Sequence, residues 1–131
     1  MKNLYIFIIG ISCLFFSSNA LGQVEARLHQ VFDAKAKVVN LQIDEDRFEV
    51  NLKETYSTVM IVEVIIAIDL VDPNQMEEII NSGRYHVDYA LKDGVATFST
   101  KKDLEPIIIE GKEAEEHIIY NVSIPEYIEI E

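Results

Sequence analysis

The sequence predicts a mainly β domain: an antiparallel sandwich or curved sheet of about eight strands, with one short helix packed against it. Three observations point to it. Thr58–Val71 (TVMIVEVIIAIDLV) is a long Val/Ile run broken only by Glu63 and Asp69. Stiff β-branched side chains of this kind pack well on a pleated surface. Tyr85–Thr100 (YHVDYALKDGVATFST) is two alternating runs around Asp93-Gly94, the signature of a β-hairpin. Asp72–Gly83 is the one segment with convincing helix start and stop signals.

Residues 1–22 read as a signal peptide. Lys2 supplies a short positive region, Leu4–Phe16 an apolar one, and Ser17–Gly22 small residues for cleavage after Ala20 or after Gly22. An uncleaved anchor is disfavoured by the short apolar run, since a spanning helix needs about 20 apolar residues. Lipidation at Cys13 is a third outcome, although Gly10-Ile11-Ser12 ahead of it fits the usual pattern poorly. Cleavage leaves residues 23–131 as a single β-rich domain without cysteine, in a disulfide-permissive compartment, periplasmic or at the cell surface. The formal net charge is −12, and loss of Lys2 makes it more negative. That charge disfavours nucleic acid and anionic membranes as partners.

Along the chain, Gln23–Phe32 is ambiguous between a first strand and a short helix. Val39, Leu41 and Ile43 share one strand face, and Phe48, Val50 and Leu52 another; with Asp44-Glu45-Asp46 between them, these two strands are expected to form a hairpin. In the long strand, Val62, Val64, Ile66, Ile68 and Leu70 fall on one face and Val59, Ile61, Glu63, Ile65 and Ala67 on the other. So apolar a strand is expected to be covered on both faces. The helix has Asp72 as N-cap, Pro73 at N1, Gln75 at N3 and Gly83 just past its end, with Met76, Ile79 and Ile80 as its apolar stripe. The Asp93-Gly94 turn pairs Leu91 with Ala96, Tyr89 with Phe98 and Val87 with Thr100. Pro106 opens a short strand over 107–109, and Glu110–Glu116 reads as a charged loop. Ile118, Tyr120, Val122 and Ile124 alternate in a strand ending at Pro125, and Ile128 and Ile130 begin a further extended piece.

The stretch His117–Ile130 (HIIYNVSIPEYIEI) resembles an element of the adhesin-like bacterial envelope proteins, also described as auto-transporter adhesin head domains. In that family an alternating strand closed by a Val/Ile-Pro step ends an N-terminal β region, and a β-solenoid of short Gly-rich repeats follows. The Phe48–Leu52 strand, the long strand after it and the Asp93-Gly94 hairpin are similar to what precedes that step, so the resemblance covers 37–130. The sequence departs from the pattern at Glu131, where no solenoid follows, which implies a stand-alone cap or a truncated relative. The resemblance implies a surface or periplasmic interaction role and brings no catalytic residues.

Motifs for chemistry are sparse. His86 and Asp88 share an outer strand face and read as a polar surface pair beside Ser99 and Lys101, His117 next to Glu113, Glu115 and Glu116 reads as a solvated loop residue, and His29 has no metal-binding neighbour at useful spacing. Asp44-Glu45-Asp46 and Asp72-Pro73-Asn74 offer oxygens without the spacing of a calcium loop, and read as a turn and a cap. The sequence contains no phosphate loop, G-x-S-x-G elbow, H-E-x-x-H or paired-cysteine motif. The expectation is therefore a non-catalytic, envelope-associated interaction module without cofactor or metal. Tyr127, Ile128 and Ile130 would form an exposed edge for pairing with a protein partner or with itself. The alternative is a small periplasmic ligand-binding protein with an apolar pocket lined by Met76, Tyr85 and Tyr89.

Overall fold

The structure is a computed structural model that describes residues 17–18 and 23–131. Apart from Ser17–Ser18, the predicted signal peptide, both cleavage points and Cys13 lie outside the described residues. Mainly β architecture is what the chain adopts, with several sheets and one short helix.

The strands are β1 (Ser17–Ser18), β2 (Gln23–Asp33), β3 (Val38–Gln42), β4 (Glu49–Thr55), β5 (Val59–Asp69), β6 (Asp88–Lys92) and β7 (Val95–Ser99). They continue as β8 (Ile108–Ile109), β9 (Lys112–Glu113), β10 (Glu116–Pro125) and β11 (Glu129–Ile130), with helix α1 (Pro73–Asn81) between β5 and β6. The first sheet has the order β1-β2-β5-β10-β4 and the second β11-β3-β7-β6; β8 and β9 form a separate hairpin. Most pairings are antiparallel, but β10–β4, β11–β3 and β3–β7 are parallel.

The long Val/Ile run is β5, flanked by β2 and β10 in antiparallel register. Val62, Val64, Ile66 and Ile68 on its inner face have no exposed surface. Burying each is worth about 1.5–3 kcal/mol, as an upper estimate. The opposite face differs from expectation: Val59, Ile61, Ile65 and Ala67 are only half-buried, because the second sheet covers one side alone. Leu70 leaves the strand altogether, at φ 66° and 44% exposed.

Aromatic rings tie the two sheets together. Phe32 of β2 stacks on Tyr89 of β6 at 4.9 Å between centroids and meets Phe98 of β7 edge-on at 5.0 Å. Gln30, also on the inner face of β2, is one of the few buried polar side chains. Its Nε2 donates to the Val87 carbonyl at 3.1 Å and its Oε1 accepts the Val87 N–H at 2.8 Å. One amide thus satisfies both main-chain groups of Val87 just before β6, where a buried unpaired group is costly.

The helix and the hairpin follow the sequence closely. Asp72 caps α1 by accepting the Gln75 N–H at 2.8 Å, and the Gln75 side chain accepts the Asp72 N–H at 2.9 Å. Met76 and Ile80 are buried, and α1 packs against β2. In β6–β7, Leu91 faces Ala96 and Tyr89 faces Phe98; φ is 53° at Asp93 and 80° at Gly94, as a type I′ turn requires. Gln23–Phe32 resolves as a strand.

Two further expectations fail. β3 and β4 do not form a hairpin: β3 pairs with β7 and β11 in the second sheet, and β4 with β10 in the first. The turn between them is closed by Asp44, whose carbonyl accepts the Arg47 and Phe48 N–H groups at 3.1 and 2.9 Å, and it carries the chain across the sandwich. Alternation fixes which side chains face inward and leaves the partner strand open. The charged stretch after Ile109 is only partly loop. Glu110 and Gly111, at φ 51° and 81°, make a second I′-type turn joining β8 to β9.

Candidate functional site

The expected edge at 127–130 lies on the outside of the second sheet. The Glu129 and Glu131 N–H groups donate to the Lys37 and Val39 carbonyls at 3.0 and 2.9 Å, so these residues point into the sheet. By alternation only Ile130 directs its main-chain groups outward. Tyr127 is 62% exposed and Ile128 is buried in the core. Of the three predicted residues, Ile128 anchors the strand while Tyr127 and Ile130 border the surface.

A longer edge belongs to β4, whose only neighbour among the described residues is β10. The Thr55 carbonyl accepts the Glu126 N–H at 2.8 Å, which turns Thr55, Lys53, Asn51 and Glu49 toward β10. Val50, Leu52 and Glu54 therefore present their main-chain groups outward. The Leu52 side chain is on the core side of the sheet yet 44% exposed, since no described strand lies beyond it.

The most enclosed ionised groups gather where α1 ends beside the start of β10. Arg84 grips Glu116 with two bonds, Nε to Oε2 at 2.9 Å and Nη2 to Oε1 at 2.8 Å, and the Tyr85 hydroxyl donates to Oε2. The Tyr120 hydroxyl donates to the Tyr85 carbonyl at 3.3 Å. Burial works to raise the Glu116 pKa, but the bonds from Arg84 and Tyr85 and the charges of Arg84 and Arg47 outweigh it and hold the carboxyl below its usual range. Burial, with Glu116 beside them, drives the Tyr85 and Tyr120 hydroxyls well above the ordinary tyrosine value. Arg84, Tyr85 and Glu116 thus keep their pH 7 protonation state and are spent on one another. This arrangement locks the end of the helix to the sheet.

A second polar group crosses the outer face of the first sheet. Glu63 meets His29 Nε2 at 3.0 Å and Arg27 Nη1 at 3.6 Å, and accepts from Asn121 Nδ2 at 3.1 Å. Asn51 extends the row by donating to Asn121 Oδ1 at 2.9 Å. Residues from β2, β5, β10 and β4 stand here in one cross-strand rank. Sequence spacing hides it, because each member comes from a different strand; the single signal was an acid inside a Val/Ile run.

A cleft of about 590 Å³ opens between the β3–β4 turn and the loop after β7. Ile43, Phe48 and Thr100 form its buried part, and Arg47, Lys101 and Lys102 stand around it with Asp44 and Asp103. The predicted pocket residues are elsewhere: Met76 and Tyr85 are fully buried, and Tyr89 belongs to the aromatic cluster. Among the described residues no group of three or more His, Cys, Asp or Glu side chains could hold a metal ion. His86 and Asp88 do not combine, since the His86 Nδ1 is buried without a partner among the described residues while Asp88 is exposed.

No protein-family model, curated protein or solved structure matches this chain. No helix among the described residues is long and apolar enough to cross a membrane.

Proposed function

We propose that the chain is an exported, envelope-associated, adhesin-like interaction module that engages a protein partner, or a second copy of itself, by adding a strand to an open sheet edge. The observation that carries this reading is β4. It has seven residues and, among the described residues, one neighbour, directs the main-chain groups of Val50, Leu52 and Glu54 outward, and leaves the core-side Leu52 44% exposed. An added strand would pair with the former and cover the latter, as in β-augmentation. Exposed Glu49, Lys53 and Glu54 on the same strand disfavour indiscriminate pairing. The pattern of residues 1–22 supports export, and the net charge of −12 favours partners other than nucleic acid. Catalysis has no support in the most enclosed charged cluster, where Arg84, Tyr85 and Glu116 are committed to one another.

The test is light scattering of the exported protein and capture from envelope extract, comparing wild type with Leu52→Pro. Proline removes an outward N–H on an edge strand, where it is tolerated; Leu52→Lys is the gentler control. Loss of self-association or capture in both variants, with unchanged melting, is the expected result. Association that survives both would refute the β4 edge. Ile130→Pro asks the same of β11, and is preferable to deleting 126–131, which would also remove Ile128 from the core.

A further inference from the structure

The edge strand β4 carries a side-chain pattern that fits a second copy of itself. Its outward main-chain groups belong to Val50, Leu52 and Glu54, so an antiparallel copy must set outward residues opposite outward residues. The allowed registers then differ only in which residue sits on the twofold axis. Glu49, Lys53 or Glu54 on the axis would bring like charges face to face, which is unfavourable. Val50 on the axis would shorten the pairing to residues 49–51, because β4 begins at Glu49, and would leave Leu52 uncovered beyond its end. Leu52 on the axis would set Glu54 opposite Val50 on the core side and make no pair of opposite charges.

Asn51 on the axis avoids all of these. The pairing then spans residues 49–53 and leaves Glu54 beyond its end. Val50 and Leu52 of one copy lie opposite Leu52 and Val50 of the other, and each such pair exchanges both main-chain bonds. Their side chains meet on the core side, where the 44% exposed Leu52 is covered by the half-buried Val50 of the other copy. On the outer face Glu49 of each copy stands opposite Lys53 of the other, at the kind of position where facing side chains approach most closely. Both are exposed, and neither has an ion-pair partner among the described residues. On the axis itself a neutral side chain meets its own copy: Asn51, already tied to Glu49 at 3.2 Å and to Asn121 at 2.9 Å.

We infer that β4 pairs antiparallel with β4 of a second copy of this chain, with Asn51 on the twofold axis. This rests on the reading of β4 as the binding edge and names its partner. The first sheets of the two copies join into one continuous sheet, and because each copy spends its β4 on the other, the assembly closes at a dimer. The charges that deter other strands from this edge select the one register in which Glu49 meets Lys53. A single strand pair is a small interface, so the dimer is reversible and grows with concentration.

The experiment is light scattering of the exported protein over a concentration series, at low and at physiological salt, with two charge reversals at exposed positions. Wild type is expected to dimerise, less so as salt rises. Glu49→Lys and Lys53→Glu each turn both facing pairs into like charges, and each should weaken the dimer about tenfold or more with unchanged melting. An equimolar mixture of the two variants restores opposite charges across the axis, and the double variant does so within one chain; both should regain wild-type dimerisation. Asn51→Cys checks the register, since its Cα atoms would lie about 4.5 Å apart across the axis, within disulfide reach, whereas those of Leu52→Cys would be offset along the strands. Crosslinking of Asn51→Cys and not of Leu52→Cys, above the unsubstituted protein, is expected. A dimer that the single reversals leave unchanged, that the mixture fails to restore, or that only Leu52→Cys crosslinks overturns the inference. So does a wild type that stays monomeric. If that monomer captures an envelope protein and loses it with Leu52→Pro, the β4 edge stands with another partner; if it captures nothing, the edge reading falls as well.

Discussion

Glu116 and Glu63 sit on neighbouring strands of one sheet and face opposite ways. Glu116 points inward, is 18% exposed at its side chain, and is held by Arg84 and Tyr85. Glu63 points outward, is 24% exposed, and serves His29, Arg27 and Asn121. The exposures are close, yet the surroundings differ in kind. Around Glu116 the partners are themselves enclosed and have no other acceptor, so each depends on the others. Around Glu63 every partner can turn to water. The number of bonds a carboxylate makes says little about its worth; what matters is where its partners would go without it.

Glu116→Ala should show this most strongly. It strands a largely enclosed guanidinium and removes the acceptor of the Tyr85 hydroxyl; breaking a fully buried pair costs about 3–5 kcal/mol, which is the upper bound for this part-buried one. Urea denaturation measures the loss, and a value under about 1 kcal/mol would mean that Arg84 finds water in the fold. The same residue predicts an acid limb. Because its folded pKa is lowered, its contribution is present in full above the ordinary glutamate value of about 4.3 and is lost as pH falls through the folded value. The variant should therefore be flatter than wild type over that acid range.

Gln30→Leu extends the comparison to a neutral group. The side chain keeps its volume, but the N–H and C=O of Val87 are left unpaired within the core. Leaving buried polar groups unsatisfied costs about 1–3 kcal/mol each, so a loss of about 2–6 kcal/mol is expected in the same denaturation assay. A loss below that range would show that water reaches Val87.

How much of this was legible depends on sequence distance. The Asp93-Gly94 hairpin and the Asp72–Gln75 capping box were readable because turn and cap residues act on neighbours within a few positions. The inner faces of β5 and β10 were readable because alternation is a local property. The placement of β4 was not, since nothing in Phe48–Leu52 distinguishes β3 from β10 as a partner. The same holds for contacts that join distant segments: Gln30 with Val87, Arg84 with Glu116, and the rank from His29 through Glu63 and Asn121 to Asn51. A glutamine in an alternating strand reads as solvated until the second sheet is laid over it. The cleft was hidden for a related reason. Its cations come from segments more than fifty positions apart, and Lys101-Lys102 alone reads as a charged link.

Glu63→Gln is the smallest expected effect and the sharpest test of the contrast. Glutamine keeps the shape and the acceptor toward Asn121, and removes the charge opposite Arg27 and His29. Exposed pairs of this kind are worth about 0.2–1 kcal/mol, so the loss should stay within that range and shrink in high salt. A double-mutant cycle with Asn121→Ala separates the rank from the ion pairs. Coupling near zero means that each strand pair stands alone on the open face. Coupling above about 1 kcal/mol would mean that the rank behaves as a network, as the inner cluster does, and that burial of the partners is a poorer guide to worth than the connectivity of the bonds.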